Sequence, residues 1–179
     1  MVRHRLAMAI AAVVALCVWG AVLAAPPADD ATCSISVTVA EIMEWSSNFP
    51  PIVVPEEITS QATVVTDDST LTLYTNGDVD ITADIISLLP RLTGPDSDTL
   101  VTEYALSYDG NGSTTGTGGT AVPFTNFDAF LSGGSHVTHV PGDGAVNVTL
   151  SVQASNAVGT LANAGLYNAT QTLTAAWGL

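Results

Sequence analysis

Apolar and polar side chains alternate on both arms of residues 71–82, LTLYTNGDVDIT, around an Asn76-Gly77 pair. In a strand, successive side chains point to opposite faces. Leu71, Leu73, Val79 and Ile81 then belong to one dry face; Thr72, Tyr74, Asp78, Asp80 and Thr82 belong to a wet one. A two-residue turn would set Leu73 opposite Asp80 and mix the faces. A three-residue loop over 75–77 sets Leu73 opposite Val79 and Leu71 opposite Ile81, with Gly77 at the left-handed position such a loop uses. A one-residue slip inverts every side chain, so the pattern selects this second register. The expectation is a hairpin in an antiparallel sheet with one buried and one solvated face.

The same period recurs along the chain. Ile35, Val37 and Val39 line one side of residues 33–39, CSISVTV. Leu100, Tyr104, Leu106 and Tyr108 share a face, and so do Val146, Val148, Leu150 and Val152, opposite Asn147, Thr149, Ser151 and Gln153. Residues 166–177 carry Tyr167, Ala169, Leu173, Ala175 and Trp177 on one side. Residues 61–66 lead into the 71–82 stretch, and 84–89 read as a strand or helical turn that Pro90 ends. Trp45, Phe49 and Ile52 are expected core anchors around a Pro50-Pro51 turn. Residues 109–119, DGNGSTTGTGG, read as a flexible loop between strands. Thr125 to Asp128 has the form of a capping box, with Phe127, Phe130 and Leu131 following, so one short helical turn is expected there. No fixed-period repeat or long amphipathic helix is visible. About eight short strands separated by turn signals predict an all-β fold, an antiparallel β-sandwich of Ig-like or jelly-roll-like type.

Arg3 and Arg5 precede an apolar run over 6–25 that closes on small residues. This predicts a secretory signal peptide over 1–24, cleaved after Ala24, then a flexible leader at 25–31 and a single domain at 32–179. An uncleaved anchor is the competing reading, since the run is about long enough to span a bilayer. Leu16 is too large for a lipoprotein box at Cys17, so Cys17 belongs to the discarded segment. Cys33 then remains alone, either buried or paired with another chain.

Removing the signal also removes two of the three basic residues. Arg91 alone stands against 17 acidic residues, a net charge near −16, and there is no lysine. Nucleic acid binding needs clustered cations to displace counterions and is excluded on this charge. Attachment to an anionic lipid surface is disfavoured for the same reason. Solubility in an open, salty medium or affinity for divalent cations fits it.

Carboxylates and amides fall at expected strand ends: Asn76, Asp78 and Asp80; Asp96 and Asp98; Asp109 and Asn111; and Asp143. Calcium takes about six to eight oxygens on flexible backbone, and sandwich loops at one end can pool them. Asp78, Asp80, Asp109, Asn111 and Asp143 are the candidate metal ligands on that logic. No stretch matches an EF-hand, and turn geometry accounts for the same residues without a metal.

Ser135, His136 and Asp143 supply the residue types of a hydrolase triad, but no nucleophile elbow is visible. His136 and His139 are three apart, which on a strand sets them on opposite faces, unsuited to sharing a zinc ion. No catalytic residue or resident cofactor is assigned. Aromatic residues are only 6% of the chain, too sparse for a sugar platform, with Tyr74 the one expected outward. The sequons at Asn111, Asn147 and Asn168 matter only where a glycosylation apparatus exists.

Residues 164–174, AGLYNATQTLT, resemble the closing strand of bacterial surface β-sandwiches, including pilin-like and spore-coat-like subunits, which often end on Gly-x-Tyr and alternating threonines. Residues 143–150, DGAVNVTL, are similar in style. The resemblance spans a short part of the chain and carries over no functional residue. It implies an extracellular structural or adhesive role. The expectation is a non-catalytic, secreted surface or extracellular-matrix protein, a fimbrial-like fibre subunit, with a calcium- or carbohydrate-binding module as the alternative. Residues 33–39 are expected to pair within their own sandwich, although their alternation fits equally a strand donated to a neighbouring copy.

Overall fold

The computed structural model describes residues 31–178. The expected signal peptide, the competing anchor and most of the leader lie outside the described residues. The chain divides into two units after Thr38. In the first, residues 31–38 are exposed throughout and form no strand, contrary to the strand expected over 33–39. Ile35, Val37 and Val39 are 86%, 84% and 73% exposed. Alternation prepares a segment for a sheet, but a strand forms only where a partner takes up its backbone hydrogen bonds.

In the second unit the described residues form β1 (Met43–Trp45), β2 (Val64–Thr75), β3 (Val79–Ala83), β4 (Val101–Tyr108), β5 (Gly118–Gly119), β6 (Val122–Asn126), β7 (Ser135–Thr138), β8 (Ala145–Ser155) and β9 (Leu173–Trp177). All their pairings are antiparallel, in two sheets ordered β1-β2-β8-β4-β6 and β5-β7-β3-β9. The protein is all-β and its architecture fits a β-sandwich.

The long strand β8 lies between β2 and β4. Its inward row, Val146, Val148, Leu150 and Val152, is buried against Leu73, Tyr104 and Leu106 of its own sheet and Val79, Ile81 and Val137 of the other. Phe130 fills the same core, its ring 5.6 Å from that of Tyr104. On the wet face, cross-strand hydroxyls pair: Thr70 with Thr149 at 2.8 Å, and Thr72 donates to Asn147 Oδ1 at 2.8 Å. Such pairs fasten a sheet without burying anything. Trp45, Phe49 and Ile52 pack on the core as expected, with the Trp45 and Phe49 rings 5.7 Å apart.

The expected hairpin is not formed. Leu71 and Leu73 pair with Val148 and Val146 of β8, whereas Val79 and Ile81 pair with Val137 and Ser135 of β7 in the other sheet. Residues 75–78 therefore carry the chain from one sheet to the other. Leu71, Leu73, Val79 and Ile81 do all face inward, because the inner faces of two packed sheets are both apolar, but the two arms pair with different strands. Local bonds close the crossing. The Thr75 hydroxyl donates to Gly77 O at 2.7 Å, and Gly77 is not left-handed. Asn76 does not serve the turn but holds the incoming chain. It accepts from Ile42 N–H at 2.8 Å and donates to Ala40 O at 2.8 Å.

Sheet two is much shorter than β2 and β8, so loops cover the far end of sheet one. Val65, Leu100 and Ala154 form a second core there, under Val54, Ile58, Leu92, Ala162 and Tyr167. Residues 84–99 and 163–172 run side by side over this end. Thr93 and Asn168 exchange two backbone hydrogen bonds of 3.0 Å, and Thr170 N–H reaches Leu89 O at 2.7 Å. The closing strand is accordingly only β9, not 166–177, and 84–89 is an irregular turn rather than strand or helix. Residues 127–133 make successive turns in place of the expected helical turn. A single helical bond forms, Phe130 N–H to Asn126 O at 2.9 Å, before Leu131 enters the left-handed region at φ 52°.

Leu150→Ala should cost about 2–5 kcal/mol, the range for truncating a buried leucine. Thr149→Ala, which loses one exposed hydroxyl pair, should cost about 1 kcal/mol or less. Denaturant melts of the two variants check the facing; equal losses would contradict it.

Candidate functional site

The five candidate ligands divide between two places. Asp78 and Asp80 flank the start of β3, beside β7. The His136 ring lies between them, Nδ1 2.7 Å from Asp80 Oδ1 and Nε2 3.9 Å from Asp78 Oδ2. The imidazole bridges the carboxylates, with one nitrogen facing each, so the three groups do not converge on a point. Asp78 also accepts His139 N–H at 2.8 Å.

Asp109, Asn111 and Asp143 sit on two loops that touch, residues 109–117 and 140–147. Asp143 Oδ2 accepts Thr117 N–H at 2.8 Å, and the Thr117 hydroxyl donates to Asp143 O. Asp109 accepts Asn147 N–H and its side-chain amide, both at 2.8 Å. Asn111 turns back on its own loop and accepts Ser113 and Thr115 N–H at 3.0 and 3.2 Å. The loop read as flexible is thus closely tied. The two sides of the loop approach so nearly that a Cβ on Gly110 would overlap the Thr117 carbonyl and one on Gly118 would overlap the backbone of Gly110, so both positions require glycine. Among the described residues, no three His, Cys, Asp or Glu side chains form a set able to hold a metal ion.

Two further carboxylates act in the same way. Asp98 accepts Asn163 N–H at 2.6 Å, Thr99 N–H at 2.8 Å and the Tyr167 hydroxyl at 3.1 Å. These donors, Asn163 first, hold its carboxyl below the usual carboxylate range. Asp84 is lowered too, chiefly by the Ser87 hydroxyl and then by Ser87 N–H. Strand-end position singled out Asp98 in the sequence; Tyr167 had no such signal, because its carboxylate partner is 69 residues away, whereas Asp84 is served locally by Ile86 and Ser87.

The triad letters do not assemble. Ser135 and His136 are adjacent on β7 and face opposite sides of it. Ser135 is buried and its Oγ accepts the Tyr108 hydroxyl at 2.7 Å, while His136 is exposed toward Asp80. Burial pushes the Tyr108 hydroxyl up to about 12. Asp143 is already engaged by Thr117. Arg91, the one cation among the described residues, lies over the Phe127 ring at 5.9 Å.

What the second unit leaves open is sheet edge. β9 ends its sheet, pairing with β3 on one side only. Beside it lies a cleft of about 280 Å³, lined by Trp45, Phe49, Leu71, Gln171 and Leu173.

A depressed carboxylate favours the fold above its unfolded pKa of about 3.9, and that contribution is lost as pH falls through the lower folded value. The melting temperature should therefore drop as pH goes from about 4 downward. Asp98→Asn should be less stable near neutrality, and its deficit should shrink toward low pH. A deficit constant across thermal melts at each pH would contradict the bond scheme.

Because every candidate ligand already accepts a hydrogen bond, calcium should raise the melting temperature no more than sodium chloride at matched ionic strength. A calcium-specific rise would show that these loops open to bind it. No protein-family model matches the chain, and no curated protein matches it either.

Proposed function

We propose that this is a non-catalytic secreted protein of the cell surface or extracellular matrix that works by associating with further copies of itself. The observation that carries this is residues 35–39. In a chain with one cation against 17 acids outside its first 25 residues, this stretch has no charge, alternates as a strand, and stands exposed. Leaving such a row in water has a cost that burial in an assembly removes. The strand-end carboxylates, occupied with backbone donors, give the rest of the surface its solubility.

Electron microscopy of native secreted material, with light scattering of the purified protein, tests it. Fibres or species above monomer mass are expected, and they should persist in moderate salt because the contact is apolar. A protein that remains monomeric at high concentration and forms no ordered material contradicts the reading.

A further inference from the structure

We infer that residues 35–39 of one copy add as a strand to the outer edge of β9 in a second copy. This deepens the association reading and rests on it. An open sheet edge is a template for another strand, and proteins ordinarily blunt it with charge, proline or shortness. The other edges here are blunted. β1 has three residues and β5 two, both glycine. β6 contains Pro123, which has no N–H to offer. The flank of β2 beyond β1 carries Asp67 and Asp68. β9 has none of these protections: Leu173–Trp177, LTAAW, is uncharged, free of proline, and paired on one side only.

Donor and acceptor match in chemistry. Both are uncharged, so their approach brings no carboxylates together in a strongly acidic protein. Both alternate. Leu173 and Ala175 turn toward the core, and Thr174 and Ala176 turn outward. An added strand that keeps this layering places Ile35, Val37 and Val39 on the core side and Ser36 and Thr38 outside. The core-side row then meets the cleft at this edge, about 280 Å³, where Trp45, Phe49, Leu71 and Leu173 offer apolar contacts and Ser47, Asn48, Gln171 and Thr172 complete a mixed lining. The backbone supplies affinity and the alternate side chains supply register, as in strand addition generally.

Disulfide trapping in the full chain tests this. In a Cys33→Ser background, a protein carrying Ser36→Cys is mixed with one carrying Ala176→Cys or Thr174→Cys and oxidised. A control mixture replaces the β9 cysteine with Thr149→Cys, on the outer face of β8. The expected result is a mixed disulfide dimer with a β9 partner, several-fold over the control. It should be lost when Val37→Asp is added to the donor, and that variant should melt at the wild-type temperature. If a chain carrying both cysteines closes on itself and never joins a second copy, the second-copy assignment is overturned. If assembly persists under Val37→Asp without β9 crosslinks, the edge assignment fails while association stands. If neither crosslink nor assembly appears, both fail.

Discussion

Backbone N–H groups take the place of cations in this protein. A chain with one arginine after residue 25 cannot neutralise its carboxylates by ion pairing. Instead Asp143 takes Thr117 N–H, Asp109 takes Asn147 N–H, Asp98 takes those of Thr99 and Asn163, and Asp78 takes His139 N–H. Each bond joins a charged acceptor to a donor that strand pairing leaves over, in a loop or at a strand end, and charge-assisted bonds of this kind are the stronger class. Loops that glycine makes conformationally permissive are held in one arrangement by an anion. Fixed dipoles at hydrogen-bond distance are screened less by salt than distant charges are, which suits a solvent-exposed domain.

The sandwich is built around this economy. Sheet one is long and sheet two short, and the difference is made up by loops rather than strands. Those loops carry their own apolar cover, Leu92, Ala162 and Tyr167 over Val65, Leu100 and Ala154. Asp98 and Tyr167 tie the two loop segments together where no ladder runs. Carboxylate-centred hydrogen bonds occur at both ends of the domain, and what distinguishes the far end of sheet one is that loops rather than a second sheet supply its apolar cover.

Much of this was legible in the sequence. The inward row of β8 and the buried positions of β4 follow directly from alternation, and the all-β class follows from their number. Alternation reports which side faces in, but not which strand lies alongside. Residues 71–82 therefore read equally as a hairpin and as a crossing between sheets, and only the distant segments at Val137 and Val148 decide between them. Residues 33–39 show the same gap: the pattern is present, but the segment forms no strand. The carboxylate positions were visible as strand ends. Their partners were not, because an N–H sixty residues away, such as His139 for Asp78, leaves no mark in local composition. Residues 166–172 misled in the opposite sense, since alternation there coincides with a segment that bridges Thr93 at one residue only.

The isolation of Arg91 has a consequence for proteolysis. Proteases with an acidic specificity pocket cleave after arginine or lysine, and beyond residue 25 this chain offers them the Arg91–Leu92 bond alone. That bond is poorly presented. The guanidinium is drawn over Phe127, Arg91 N–H is bonded to Leu88 O at 3.1 Å, and Leu92 N–H to the Thr102 hydroxyl at 3.0 Å. An enzyme must bind its substrate in extended form, and here it would first have to pull apart the loop that covers the second core. The scarcity of cations that obliges the fold to anchor its acids on the backbone therefore also removes nearly every target for trypsin-like digestion, and the fold guards the one that is left.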